Sequence, residues 1–211
     1  NSLCTRFNPQ IGQIRSWDFG EWNYPVIVDN LMNLEMLFFA SKMTGDKKYY
    51  DVAVKHADTT LENHFRPDGS SYHVVSYNND GSIESKGTFQ GFAHESSWAR
   101  GQAWAVYGYT VVYRETGEKC FLDFAEKVTD LFLSRLPEDY VPYWDFDDTA
   151  IPDAPRDASA ACVVASALAE LHAYVPTEKG SFYKEMALKM LQALNSDTKR
   201  ETATYISFFP M

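Results

Sequence analysis

The segment Tyr24-Pro25-Val26-Ile27-Val28-Asp29-Asn30-Leu31-Met32-Asn33-Leu34 sets one carboxylate, Asp29, among Val26, Ile27, Val28, Leu31 and Met32. Apolar surroundings disfavour the charged form of a carboxyl group and make it hold its proton. Such a group can work as a general acid near neutral pH. An acid in the first turns of a helix can also do no more than complement the helix dipole. Asn30 and Asn33 add polar groups beside it. Polar clusters in apolar surroundings are costly unless paired or used. On spacing alone, both readings of Asp29 stand.

A second constellation is Ser96-Ser97-Trp98-Ala99-Arg100-Gly101-Gln102-Ala103-Trp104. Arg100 and Trp104 are four residues apart and share a helix face. A guanidinium beside an indole suits a sugar acid, with Arg on the carboxylate and Trp under the ring. The alternative is an Arg that merely stacks on its own Trp. Gly101 is expected to let another backbone come close. His73, between Tyr72 and Val74 with Gln90 downstream, reads more readily as a structural hydrogen-bonder than as a catalyst. His56 and His64 are expected at a surface or groove edge. His94-Glu95 is expected to cap the helix that follows. The loop Trp17-Asp18-Phe19-Gly20-Glu21-Trp22 suits a sugar platform or a lid over the core.

The run Asp145-Phe146-Asp147-Asp148 lacks the spaced ligands and glycine of a known calcium loop. No metal is expected. The phosphate-binding, dinucleotide and nucleophile-elbow motifs are absent from the sequence, and no cofactor is expected either.

Helices must position these residues. Apolar periodicity predicts them over 26–43, 47–65, 96–115, 118–136, 159–174 and 181–194. Leu31, Leu34, Leu37, Phe38 and Ser41 fall at helical spacing in the first; Tyr50, Val54, Ala57 and Leu61 form a stripe in the second. Residues 70–77 alternate polar and apolar, Asn79-Asp80-Gly81 signals a turn, and 82–89 is again extended in style, which predicts an inserted β-hairpin. Residues 136–158 form a long proline-bearing loop. Thr44-Gly45-Asp46, Thr116-Gly117-Glu118 and Thr177-Glu178-Lys179 each precede an aromatic and then an Ala one turn on. The helices therefore repeat as hairpins of roughly 60 residues, longer than common solenoid units. That favours an all-α, closed (α/α)6 toroid with a small inserted β-hairpin. A ring of six would need about 360 residues, so residues 1–211 are expected to be one partial catalytic domain lacking portions at both ends. Ala203 to Met211 do not read as a natural finish.

The 211 residues carry a formal net charge of −10, which argues against nucleic acid as a partner. No apolar run approaches the ~18 residues that would span a bilayer, so no membrane partner is expected. Compartment stays open between bacterial cytoplasm and periplasm, and oligomeric state is open too. Three cysteines, Cys4, Cys120 and Cys162, give neither a disulfide framework nor a zinc pattern. Cys120 and Cys162 are expected to be buried free thiols.

The combination of V-D-N-L-M-N-L around Asp29, the T-G-D turn, S-Y-H at His73, Q-G-F-A at Gln90, S-x-W-A-R-G-Q-A-W and the R-D-A-S-A-A run at 156–161 resembles the unsaturated glucuronyl hydrolases of glycoside hydrolase family 88. The sister rhamnogalacturonyl hydrolases, family 105, usually carry Asn where Gln102 stands. The resemblance implies a six-hairpin α/α barrel and hydration of an unsaturated uronic acid at the non-reducing end of lyase-generated oligosaccharides. It implies Asp29 as general acid and base, with Trp17, His73, Gln90, Arg100 and Trp104 lining the sugar subsite. It also implies a second aspartate upstream of the residues present.

Overall fold

The structure is a computed structural model that describes residues 2–195. The expectation for Ala203–Met211 lies outside them. After a short 3-10 turn, β1 (Phe7–Asn8) pairs antiparallel with β2 (Gln13–Ile14). Then follow β3 (Pro25–Ile27), a 3-10 helix (Val28–Asn33), α1 (Leu34–Thr44) and α2 (Lys47–Asn63). β4 (Val74–Tyr77) and β5 (Ile83–Gly87) lead to α3 (Ala99–Thr116) and α4 (Lys119–Ser134). α5 (Ala158–Leu171) and α6 (Thr177–Leu194) complete the described chain.

The helices pack as three hairpins, α1 on α2, α3 on α4 and α5 on α6. α3 also packs against α1 and α5, so these three form one layer backed by the other three. α3 is buried on almost every side. Its small residues allow this: a Cβ added at Gly108 would lie 2.5 Å from Leu31 Cβ and 3.4 Å from Leu31 backbone atoms. Gly101, where a backbone approach was expected, instead meets the side chains of Val28 and Trp98. α4 shows the outer-layer pattern, burying Phe121, Leu122, Ala125, Val128, Thr129 and Phe132 along one face. Fully buried rings such as Phe38, Phe121 and Phe132 each contribute about 1.5–3 kcal/mol through area removed from water.

Two of the repeated turns are structurally the same. Thr44 Oγ1 donates to Ala40 O and accepts from Asp46 N; Thr116 Oγ1 donates to Val112 O and accepts from Glu118 N. Gly45 and Gly117 both sit at φ 72°, the left-handed cap that glycine adopts at low cost. The third copy departs. Thr177 opens α6 itself, after the N-cap Pro176, so α6 begins four residues before the expected start at Ser181.

Residues 26–43 do not form one helix. The β-branched run Val26-Ile27-Val28 starts as strand: Val26 pairs with Val75 and Ile27 with Val74, which makes the hairpin a three-stranded sheet in the order β3-β4-β5. The chain then tightens into the 3-10 helix, whose i, i+3 side chains eclipse. Val28, Leu31 and Leu34 thus stack into the core, and Asp29 falls on the adjacent side.

Three further expectations need correction. Cys120 and Cys162 are exposed, because Phe121-Leu122 and Ala160-Ala161 take the buried positions beside them. His56 and His64 are fully buried. The buried stripe of α2 runs through Tyr49, Ala53, His56, Ala57 and Thr60, rotated from the one anticipated, because β2 covers it. Ile14 N donates to His56 Nδ1 at 3.1 Å, and Gln13 Nε2 donates to Thr60 Oγ1 at 3.1 Å.

Candidate active site

Asp29 enters the site from the first turn of the 3-10 helix. Its neighbour Val28 donates its N–H to His73 O at 3.0 Å, which ties the helix start to the residue just before β4. Across that tie, Asp29 Oδ2 lies 3.6 Å from His73 Nε2. Both atoms are closed off from solvent, and neither has a hydrogen-bond partner among the described residues. The Asp29 side chain as a whole keeps 17% of its surface accessible, against 1% for His73. One carboxyl oxygen is therefore shut in while the group still has an open edge.

The other face of the imidazole fixes its proton. His73 Nδ1 accepts from Phe89 N at 3.0 Å and from Gln90 N at 3.1 Å, with Thr88 Oγ1 at 3.3 Å. A ring nitrogen facing two N–H donors carries no hydrogen, which assigns the proton of the neutral ring to Nε2, facing Asp29. Burial holds His73 down at about 3, so the ring stays neutral at ordinary pH. Burial pushes the Asp29 carboxyl up to about 7; its own backbone N–H and the Arg100 guanidinium pull it back only part of the way.

The turn that supplies Phe89 N and Gln90 N is itself anchored. Asp145, fully buried, accepts from Phe92 N at 2.9 Å, Ser96 Oγ at 2.7 Å and Asp147 N at 3.0 Å. The acidic loop weighed as a calcium loop thus braces the turn beside His73. Among the described residues no group of three His, Cys, Asp or Glu side chains is placed to hold a metal ion. His94 takes part in the same turn, accepting from Thr88 N at 3.2 Å. It does not cap α3, whose N-cap is Trp98.

Arg100 projects from the first turn of α3 and donates from Nε and Nη2 to one oxygen of Asp157, at 3.0 and 2.9 Å. Asp157 caps α5, accepting from Ala160 N at 2.8 Å, so one buried carboxylate fixes both the guanidinium and the helix start. The Arg100 guanidinium lies 5.5 Å from the Trp98 ring. Trp98, rather than Trp104, is the ring in this contact. Trp104 lies on the half-buried edge of α3 and meets Tyr107 edge-on at 6.0 Å. Trp98 also packs on His73, with ring centres 4.7 Å apart.

Trp17 joins Phe19, Trp22 and Phe89 in one ring cluster, with centre distances of 5.5–5.7 Å from Trp17. Since Phe89 also holds His73, this cluster abuts the Asp29–His73 pair. Gln90 touches His73 through its backbone N–H. Gln102 is buried: it accepts from Ser71 N at 2.9 Å and donates to Gly69 O at 3.0 Å, securing the segment that leads to His73. Asp157, Trp98 and Phe89 were given no individual role from the sequence, and Asp145 was weighed only as part of a calcium loop. Their partners lie up to 57 residues away, so no local spacing marks them.

Three stacked helical hairpins carrying a shielded, proton-retaining carboxyl group define a protein of the α/α-toroid class. Residues 13–207 match the family model described as Glycosyl Hydrolase Family 88, and the chain belongs to that family. It is 50% identical over 201 residues to an unsaturated glucuronyl hydrolase of Formosa agariphila, covering 93% of this chain and 50% of that protein. It is 37% identical over 199 residues to an unsaturated chondroitin disaccharide hydrolase of Streptococcus pneumoniae, covering 92% and 50%. The crystal structure of an unsaturated glucuronyl hydrolase specific for heparin superposes with a TM-score of 0.88 at 48% identity, covering 92% of this chain and 52% of that one. The chain spans about half the length of these relatives.

Proposed function

We propose that the whole protein removes a Δ4,5-unsaturated uronic acid from the non-reducing end of lyase-generated oligosaccharides, with Asp29 as its acid and then its base. The observation that carries this reading is the burial-raised Asp29 carboxyl facing the His73 N–H. The relatives' names, one for heparin and one for chondroitin disaccharide, support the substrate class.

The substrate's C4=C5 bond adjoins the ring oxygen and is an electron-rich enol ether. Asp29 donates its proton to C4, leaving an oxocarbenium-like C5. Water adds to C5 and returns a proton to the Asp29 carboxylate. The hemiketal opens and releases the leaving sugar. Two carboxylates flanking the anomeric carbon are not required. When Asp29 ionises, the His73 Nε2–H is the donor aimed at the new charge. Trp17 and Trp104 offer ring faces to the sugar, Gln90 a polar edge, and Arg100 a positive field for the uronate, oriented by Asp157.

The test is to mix the whole, full-length protein with unsaturated uronyl disaccharides and follow the ultraviolet absorbance of the conjugated double bond. Loss of absorbance is expected. Its persistence with every uronyl disaccharide tried would remove the reading.

A further inference from the structure

Seven arginines lie among the described residues, and five of them pair with carboxylates: Arg66, Arg100, Arg114, Arg135 and Arg156. In a chain of net charge −10 that is the ordinary outcome. Arg6 and Arg15 are the two without an ion pair among the described residues, and both line the same open cleft of about 410 Å³, together with β1, Asp18 and Tyr24. Among the described residues the one carboxylate on its wall, Asp18, pairs with neither.

Both side chains are held in place. Arg6 Nη2 donates to Ser16 O. The Arg15 guanidinium lies 5.7 Å from the Tyr24 ring centre. The Tyr24 hydroxyl is in turn within hydrogen-bond distance of Arg6 O and Gln13 O. Arg15 Nε is shut away from solvent with no acceptor among the described residues. A desolvated donor without an acceptor is costly, and the Arg fork is shaped to place two parallel N–H bonds on an oxyanion.

We propose that this cleft is a binding site for an oxyanion of sulfate or carboxylate type, separate from Asp29. Arg15 and Asp18, which line the cleft, flank Ser16 and Trp17 in sequence. An anion borne on an oligosaccharide and a free inorganic anion are the two sources of this chemistry. The inference does not rest on the hydrolase reading, because binding is measured without turnover.

The experiment is calorimetric titration of the full chain with sodium sulfate at constant ionic strength, comparing wild type with Arg15→Gln, Arg15→Lys and Arg6→Gln. Thermal unfolding without sulfate checks that each variant folds. Sulfate binding to wild type is expected, weakened about tenfold or more in Arg15→Gln and only partly restored in Arg15→Lys, which keeps charge but loses the fork. A second arm titrates a sulfated and an unsulfated disaccharide. A preference for the sulfated sugar that Arg15→Gln abolishes assigns the anion to the oligosaccharide; an effect on inorganic sulfate alone assigns it to a free ion. No sulfate binding to wild type, or equal binding in all variants, overturns the proposal.

Discussion

Asp29 Oδ2 and His73 Nε2 face each other at 3.6 Å, both shut from water and neither hydrogen-bonded among the described residues. The backbone N–H groups of Phe89 and Gln90 occupy the far nitrogen of the ring, so the near one presents a hydrogen to the carboxyl. The pair is poised: burial keeps the acid protonated, and a donor waits for the charge that proton transfer creates.

Replacing Asp29 by Asn removes the acid while keeping the shape. Asp29→Asn is expected to fold and to lose turnover by at least about 100-fold, the usual contribution of a positioned acid or base. It is also expected to be more stable than wild type at pH 8. The folded pKa, about 7, lies above the unfolded value of 3.8, so ionising Asp29 costs the folded state stability as pH rises from 4 to 7. The cost is of order a few kcal/mol. Denaturant unfolding at pH 8 and at pH 4 checks it; the difference should vanish at pH 4.

The rate should follow the protonated fraction of Asp29. kcat/KM is expected to fall as pH rises through about 7, approaching tenfold per unit above it. A pH profile with no such limb between 6 and 8 would assign the acid to another group.

Acid should weaken the fold through its buried histidines. His56 and His73 are held at about 3, and His64 is held well below its ordinary 6.5, each chiefly by burial. Depressed values mean that the unfolded chain takes up protons first, so stability is intact above 6.5 and is lost as pH falls. At pH 5.5 each histidine costs about 1.4 kcal/mol. Chemical unfolding at pH 7.5 and 5.5 measures the sum, and His56→Gln should reduce it by about one histidine's share.

Asp145 is expected to act through the turn it braces. Asp145→Ala strips the acceptor from Phe92 N and Ser96 Oγ, which costs about 1–3 kcal/mol of stability. It should lower kcat more than it raises KM. Nitrogen-15 imidazole shifts give the independent readout: wild-type His73 should show a hydrogen on Nε2 alone, and the variant a mixture of tautomers.

Much of this was legible in the sequence. Five of the six expected helices form close to where their apolar spacing puts them, α2 with its buried face rotated, and the two Thr-Gly turns are one structural unit used twice. The hairpin at 70–89 was visible by alternation. What escaped depended on distant partners. The strand at Pro25–Ile27 exists because Val75 and Val74 pair with it, and helical periodicity through 26–43 concealed that. His56 is buried because β2 lies over it, and Cys162 is exposed because Ala161 and Val164 turn inward. Arg100 and Trp104 share an edge of α3, yet the cation's ring contact is with Trp98 and its ion pair with Asp157, which spacing along one helix cannot reveal.

The central claim is that the Asp29 carboxyl keeps its proton up to about pH 7, and its own titration tests that most directly. Infrared difference spectra of wild type minus Asp29→Asn, taken from pH 4 to 9, isolate its protonated C=O stretch. The band should persist through pH 6 and disappear with a midpoint near 7. A midpoint near 4, with the carboxylate already formed at pH 5.5, would contradict the account.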